Sequence, residues 1–210
     1  MPPRLHNALS YSVAALSLPL TLLQIDLPRS TNLAVALWVF HFMRRTVESL
    51  WVHRYSGRPV PWSDALVEYL YYWGFGIWIA FSFSASPGES LPWLQALGVV
   101  LVLVGEFGNA RAHWTLRQLR SQSGVAQRVL PQGGLFDLVD CPHYLFEILS
   151  WLGFAMVTNV LASWVFVAAV TGILCFYAHS RHKRYLEEFD GRDGRPAYPA
   201  GRRALVPGLF

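Results

Sequence analysis

The chain has 210 residues, of which 53% are apolar and only 14% charged, with a formal charge of +4 and a mean hydropathy of +0.31. A water-soluble domain usually carries about 25% charged residues, so a soluble globular protein is excluded in favour of one that shows apolar side chains to lipid. Nucleic acid is not the expected partner of the basic excess, which reads instead as one basic face of a membrane protein. Two cysteines, Cys141 and Cys175, lie in apolar surroundings without CxxC spacing, so neither a disulfide framework nor a metal site organises the fold.

Six apolar stretches follow in chain order, each ended by charge, proline or glycine. The first runs from Ala8 to Ile25 and stops at Asp26-Leu-Pro28-Arg29, and the second from Leu33 to about Val52. The third covers Ala65–Ala85 and the fourth runs from Leu91 to about His113, continuing as a basic amphipathic segment through Trp114 and Arg120. The fifth is roughly Leu138–Val157 and the sixth Leu161–Tyr177, before a polar, Gly-rich tail from His179 to Phe210. About 20 residues cross a bilayer as a helix, so the expected architecture is all-α, a polytopic membrane bundle of about six helices. With both termini on one side, the N-terminus, loops 2 and 4 and the tail collect 16 of the 17 basic residues, all but Arg29. Basic residues are retained on the cytoplasmic side, so both termini are expected there. The expected setting is a multi-pass integral membrane protein, in the endoplasmic reticulum membrane of a eukaryote or the inner membrane of a bacterium.

A purely structural bundle needs small residues and apolar faces, but this one carries His41, Arg44, Glu48, Asn109, His113, His143 and Glu147 within or at the ends of its spans. Charge at membrane depth costs about 2.5 to 3.5 kcal/mol per residue on insertion scales, so such groups face a cavity or one another. His41, Arg45 and Glu48 fall on one helical stripe; the alternative for Arg44 and Arg45 is snorkelling at the membrane boundary. In Cys141-Pro-His-Tyr144-Leu-Phe-Glu147, Pro142 suits a helix start and places Tyr144 and Glu147 three apart on one face. A tyrosine hydroxyl can protonate a developing enolate, although Tyr144 also suits an interfacial anchor. Loop 4, from Arg117-Gln-Leu-Arg120 to Arg128-Val-Leu-Pro-Gln-Gly-Gly134, offers arginines that suit the phosphates of a nucleotide or, alternatively, anionic lipid. No GxGxxG after a strand and no GxxxxGK[ST] occurs, which excludes the soluble nucleotide folds.

From about His41 onward the chain resembles the membrane family of steroid 5α-reductases and trans-2-enoyl-CoA reductases. His41-Phe-Met-Arg-Arg-Thr-Val-Glu-Ser-Leu-Trp-Val-His-Arg-Tyr-Ser56, Tyr71-Tyr-Trp-Gly-Phe75 and Cys141-Pro-His-Tyr-Leu-Phe-Glu-Ile-Leu-Ser-Trp-Leu-Gly-Phe154 look like the enoyl-CoA reductase branch. Leu116-Arg-Gln-Leu-Arg120 and Pro131-Gln-Gly-Gly-Leu-Phe136 look like the steroid branch, and Arg184-Tyr-Leu-Glu-Glu-Phe189 with Ala204-Leu-Val-Pro-Gly-Leu-Phe210 matches both.

The resemblance implies a single membrane reductase domain over residues 1–210, with substrate-side helices in 1–56 and a cofactor-binding core and tail in 57–210. It implies NADPH as cofactor and hydride transfer to the β-carbon of an enoyl thioester or 3-oxo-4-ene steroid drawn from the bilayer. By the same resemblance Tyr144 is catalytic, and His41 occupies the position where the steroid branch has a tyrosine that bonds the substrate ketone. Asn109 and Glu147 match positions near the nicotinamide, and His143 stands where the family usually has Asn. Arg58, Arg120, Arg128 and Tyr185 match positions along the phosphates and ribose, with Lys183 beside them; Asn7, Tyr72 and Glu48 are expected on the substrate side. His6-Asn7 is the nearest counterpart of a Gln-Glu pair of the steroid branch, and a neutral amide cannot act as the same acid. The eukaryotic enoyl branch carries an N-terminal ubiquitin-like domain and an extra span, so this chain is expected to be a minimal core. The rival class is a membrane methyltransferase resembling isoprenylcysteine carboxyl methyltransferase and using S-adenosylmethionine, which carries no pyrophosphate and needs fewer arginines.

Overall fold

The computed structural model describes all residues except 24–30, 56–57, 86–90, 123–128 and 193–195. Six α-helices make up most of the described residues: α1 (Pro3–Leu22), α2 (Thr31–Val47), α3 (Trp62–Ala85), α4 (Pro92–Gln122), α5 (Pro142–Thr158) and α6 (Leu161–Glu188). Among the described residues β-structure is limited to two isolated bridges, Val139 with Arg203 and Asp190 with Ala197. The chain is therefore all-helical, with helices at each of the six apolar stretches.

Helix ends follow local chemistry. Prolines open α1 and α5, where a missing N–H costs nothing. Asn159 ends α5 in the left-handed region, at φ 47°, and its N–H donates to Ala155 O. α2 passes into a π-helical turn over Glu48–Val52, an uncommon widening that buries Glu48 and Ser49. The basic segment expected after the fourth span is continuous with α4, and α6 runs eleven residues past Tyr177, to Glu188. α5 begins at Pro142 rather than Leu138, because residues 134–137 form a 3₁₀ turn and Pro142 takes the first helical position.

Among the described residues two helices, α4 (over Pro92–Arg120) and α6, are long and apolar enough to cross a membrane by length and composition. α2 and α5 have 17 residues each, short of the roughly 20 that span hydrocarbon unaided. The outer surface is apolar all the same, with Phe107, Phe176 and Val67 among the large side chains left exposed on α4, α6 and α3. Such a surface suits lipid rather than water.

The aromatic core centres on Trp38 of α2. Its ring meets Phe42, Trp151, Phe154 and Phe166 at centroid distances of 4.8 to 5.9 Å, and its Nε1–H donates to Ala14 O at 2.8 Å. One side chain thus joins α1, α2, α5 and α6. α4 and α5 approach closely through small residues: a Cβ built at Gly105 would lie 2.3 Å from Ser150 Oγ and 2.6 Å from Phe146 O, and one at Gly153 only 2.4 Å from Gly98 O. This contact lets polar side chains of the two helices reach each other.

Gly105→Val is accordingly expected to destabilise the detergent-solubilised protein by ~2 kcal/mol or more through overpacking against backbone, read as a lower unfolding midpoint. Val at Gly172, whose Cβ position is open, should leave the midpoint within about 0.5 kcal/mol of wild type.

Candidate active site

Beyond the aromatic core, α2, α4 and α5 share a buried ion network. Glu106 of α4, 3% exposed, accepts from Arg44 Nε and lies 2.6 Å from His41 Nδ1. The other ring nitrogen of His41 faces Glu147 Oε1 of α5 at 3.2 Å. Arg44 also donates to Glu48, and its Nη1 reaches Asn109 Oδ1 at 3.0 Å. Asn109, 1% exposed, spends its amide protons on His143 O (2.7 Å) and Glu147 Oε2 (3.0 Å). Arg45 Nη1 lies 2.7 Å from Glu48 Oε2 and 3.0 Å from His113 Nδ1, and its Nη2 donates to Tyr11 OH at 3.2 Å. Both arginines turn inward to carboxylates rather than out to a boundary, since their side chains are only 14% and 12% exposed. The π turn delivers Glu48 to both of them.

Above this network opens a cavity of about 330 Å³. Its walls carry five arginines, Arg45, Arg54, Arg117, Arg120 and Arg181, together with His143 and Tyr144 of the first turn of α5. Arg117 and Arg120 of α4 donate to Trp51 O and Arg54 O, which closes loop 2 over the end of α4. Arg181 of α6 stands over the Tyr144 ring, 5.7 Å from its centroid. His143 is 4% exposed and its Nδ1 has no hydrogen-bond partner. A buried polar atom ordinarily has a partner, and here the one without lies in the wall of a basic cavity. Arginine pairs bidentately with phosphate, so the donor set suits a dinucleotide phosphate.

Glu48, His53 and His113 offer three possible ligand atoms within 4.8 Å of one another. The Arg45 guanidinium already bonds two of the three residues, so this cluster holds its positive charge in a side chain rather than an ion.

The expected site residues fall into three groups. Tyr144, His143, Arg120 and Asn7 line the cavity; the Asn7 amide N–H also donates to Pro3 O at 2.8 Å. His41, Glu48, Asn109 and Glu147 lie in the network beneath it. The remainder stand apart from its walls: Tyr72 packs on Phe42, Tyr71 and Tyr11, Tyr185 packs on Phe189 and bonds Arg181, and Arg58 and Lys183 are exposed. Arg128 lies outside the described residues. Reading the sequence missed Glu106, although a lone carboxylate inside Val104-Gly-Glu-Phe107 needs a buried cation as partner. It also missed Tyr11, His53 and Arg181 as cavity residues, because only the fold brings them to the same place.

Residues 60–210 match the family described as 3-oxo-5-alpha-steroid 4-dehydrogenase. The very-long-chain enoyl-CoA reductase of Dictyostelium discoideum is 34% identical over 188 residues, 88% of this chain and 61% of the relative. A putative enoyl reductase of Schizosaccharomyces pombe is 34% identical over 181 residues, 84% of this chain and 59% of the relative. The 3-oxo-5-alpha-steroid 4-dehydrogenase 2 of Rattus norvegicus is 31% identical over 183 residues, 85% of this chain and 68% of the relative. The chain thus spans about three-fifths of the length of these enoyl reductases. It is an all-helical member of a reductase family, and the family is that of the 3-oxo-5-alpha-steroid 4-dehydrogenases, with the enoyl-CoA reductases among its relatives.

One wall residue gives a pH test. Burial, then Arg45 and His113, push His53 down to about 3. An unfolded chain takes up this proton near pH 6.5, so the folded state loses stability as pH falls from about 6.5 toward 3 and keeps it above that range. His53→Gln is expected to flatten the decline in unfolding midpoint between pH 7 and 5, and an unchanged slope would remove His53 as its source.

Proposed function

We propose that the chain is an NADPH-dependent reductase of a carbon–carbon double bond conjugated to a lipid carbonyl, taking a trans-2-enoyl-CoA or a 3-oxo-4-ene steroid from the bilayer. The observation that carries this reading is the convergence of five arginines and the unpartnered His143 Nδ1 on the cavity that also holds Tyr144. The relatives named above support the class of reaction. The membrane arrangement that goes with it has six spans and both ends cytoplasmic. Its support is that loop 2 bonds α4 through Arg117 and Arg120, while the tail bonds residue 131 of loop 4 through Arg202, so the basic segments gather at one end of the bundle.

When bound, NADPH supplies a hydride to the β-carbon of the alkene. Arg120, Arg117 and Arg181 would hold its phosphates by charge and N–H donors, and His143 Nδ1 would gain the polar partner that it lacks. Reduction of the β-carbon places negative charge on the conjugated carbonyl, and preorganised donors are worth most where charge develops. The Tyr144 hydroxyl is the donor at the cavity wall. Its O–H proton passes to the enolate, the phenolate left behind lies beside the Arg181 guanidinium, and hydride plus proton account for the two hydrogens gained. His41 and Glu147 act from below, holding Asn109 and, through it, the His143 backbone at the base of the cavity. The apolar outer faces of the helices admit a hydrophobic substrate from membrane lipid.

NADPH is expected to raise the unfolding midpoint of the detergent-solubilised protein and S-adenosylmethionine to leave it unchanged; the opposite ranking favours the methyltransferase chemistry. Tyr144→Phe is expected to lower turnover of a 2-enoyl-CoA or enone steroid about 100-fold or more, the usual worth of a positioned acid, with NADPH affinity within about threefold of wild type. NADPH oxidation by the purified protein against a panel of the two substrate classes supplies the assay, and unchanged turnover of the variant removes Tyr144 from the acid role.

A further inference from the structure

Asp140 does not line the cavity, yet its carboxylate is fully buried and gathers partners from two other parts of the chain. Arg202 Nε lies 2.7 Å from Oδ1, His182 Nδ1 lies 2.7 Å from Oδ2, and the Tyr198 hydroxyl donates to both oxygens at 3.0 Å. His182 belongs to α6; Tyr198 and Arg202 belong to the tail. Around them the backbone makes a short parallel ladder: Arg203 N–H donates to Leu138 O, Asp140 N–H to Arg203 O and Cys141 N–H to Ala204 O. Arg202 Nη1 also donates to Pro131 O at 2.8 Å.

Burying a carboxylate costs several kcal/mol before its partners repay it. Anchoring a tail needs no such expense, because Ala204 and Leu205 already pack against Cys141 and Ala178 in an apolar cluster. What the carboxylate adds is direction, since apolar contacts tolerate sliding and the angled hydrogen bonds of Tyr198 and His182 do not, while Arg202 Nε supplies charge as an ion pair without a hydrogen bond. The direction matters because of what adjoins it. Asp140 stands four residues before Tyr144, and His182 follows Arg181. Two cross-links therefore run side by side between the start of α5 and α6: Asp140 to His182, and Tyr144 to Arg181.

We propose that Asp140 is a positioning residue: by clamping His182, Tyr198 and Arg202, it locks α6 and the tail in register with the first turn of α5, so that Arg181 stands over Tyr144. The kinetic part of the consequence rests on Tyr144 being the proton donor; the geometric part does not.

Two readouts test it on the full chain in detergent, using Asp140→Asn, Arg181→Gln and the double variant, with unfolding midpoints to show that each is folded. In protein carrying ¹³Cζ-tyrosine, with Tyr144→Phe assigning the resonance, the Tyr144 signal is expected to move in Asp140→Asn toward its position in Arg181→Gln, while Tyr69, in the seam of α1 and α3, stays in place. Turnover in Asp140→Asn is expected to fall about tenfold, within the range that small misplacements cost. The double variant is expected to turn over about as fast as Arg181→Gln alone, because residues acting through one contact are not additive. An unmoved Tyr144 resonance in folded Asp140→Asn, or losses that multiply in the double variant, overturns the proposal. If Asp140→Asn does not fold, Tyr198→Phe removes one donor and is expected to move Tyr144 the same way by less, and no movement is again a refutation. Absence of turnover in the wild type refutes the reductase reading, and the resonances then decide the clamp by themselves.

Discussion

The structure depends on one constraint: three carboxylates between α2, α4 and α5, Glu48 and Glu106 buried and Glu147 15% exposed, must be neutralised where water does little of it. Glu48, Glu106 and Glu147 contribute three negative charges; Arg44 and Arg45 return two, and His41 is wedged between the remaining carboxylates with a ring nitrogen toward each. Removing one member of such a set leaves a buried charge unpaired, at a cost of about 3–5 kcal/mol. The three helices are thus fixed to one another in azimuth as well as distance, which apolar packing in a membrane does not ensure by itself. The π turn at the end of α2 and the glycine contact between α4 and α5 are the backbone adjustments that let the charges meet.

That network also shapes what lies above it. Asn109 is saturated from below by Arg44, Glu147 and the His143 carbonyl, so the first turn of α5 is held from its backbone side while the His143 and Tyr144 side chains face the cavity. Arg45 belongs to both layers, bonding Glu48 beneath and forming part of the cavity wall. The anionic base thus lies beneath a cationic rim in which Arg45 is satisfied by Glu48, Arg117 and Arg120 hold loop 2 through Trp51 O and Arg54 O, and Arg181 stands over Tyr144.

Much of this was legible in the sequence. Hydropathy and punctuation located the six helices of the described residues, since long helices with an apolar face leave apolar runs and loops need proline, glycine and charge. The stripe of His41, Arg45 and Glu48 and the first turn of α5 also declared themselves, because intrahelical spacing is a local property. Where the partner comes from another helix, the sequence is silent. Glu106 lies 65 residues from His41 and Arg181 lies 37 residues from Tyr144 in a chain with no repeat to relate them. Asp140 is an ordinary loop acid until the tail folds back to supply its partners. The widened turn after Val47 left no signal either, because a π insertion is set by what the displaced residue meets.

In the proposed function one cavity brings a dinucleotide and a conjugated alkene to Tyr144. This is tested most directly by the fate of isotope in the product, using the purified chain, NADPH deuterated at the transferable position and a trans-2-enoyl-CoA or enone steroid in ordinary water. The prediction is one deuterium at the β-carbon and a solvent-derived hydrogen at the α-carbon. A saturated product without deuterium from the cofactor, or no product with either substrate class, would contradict the account.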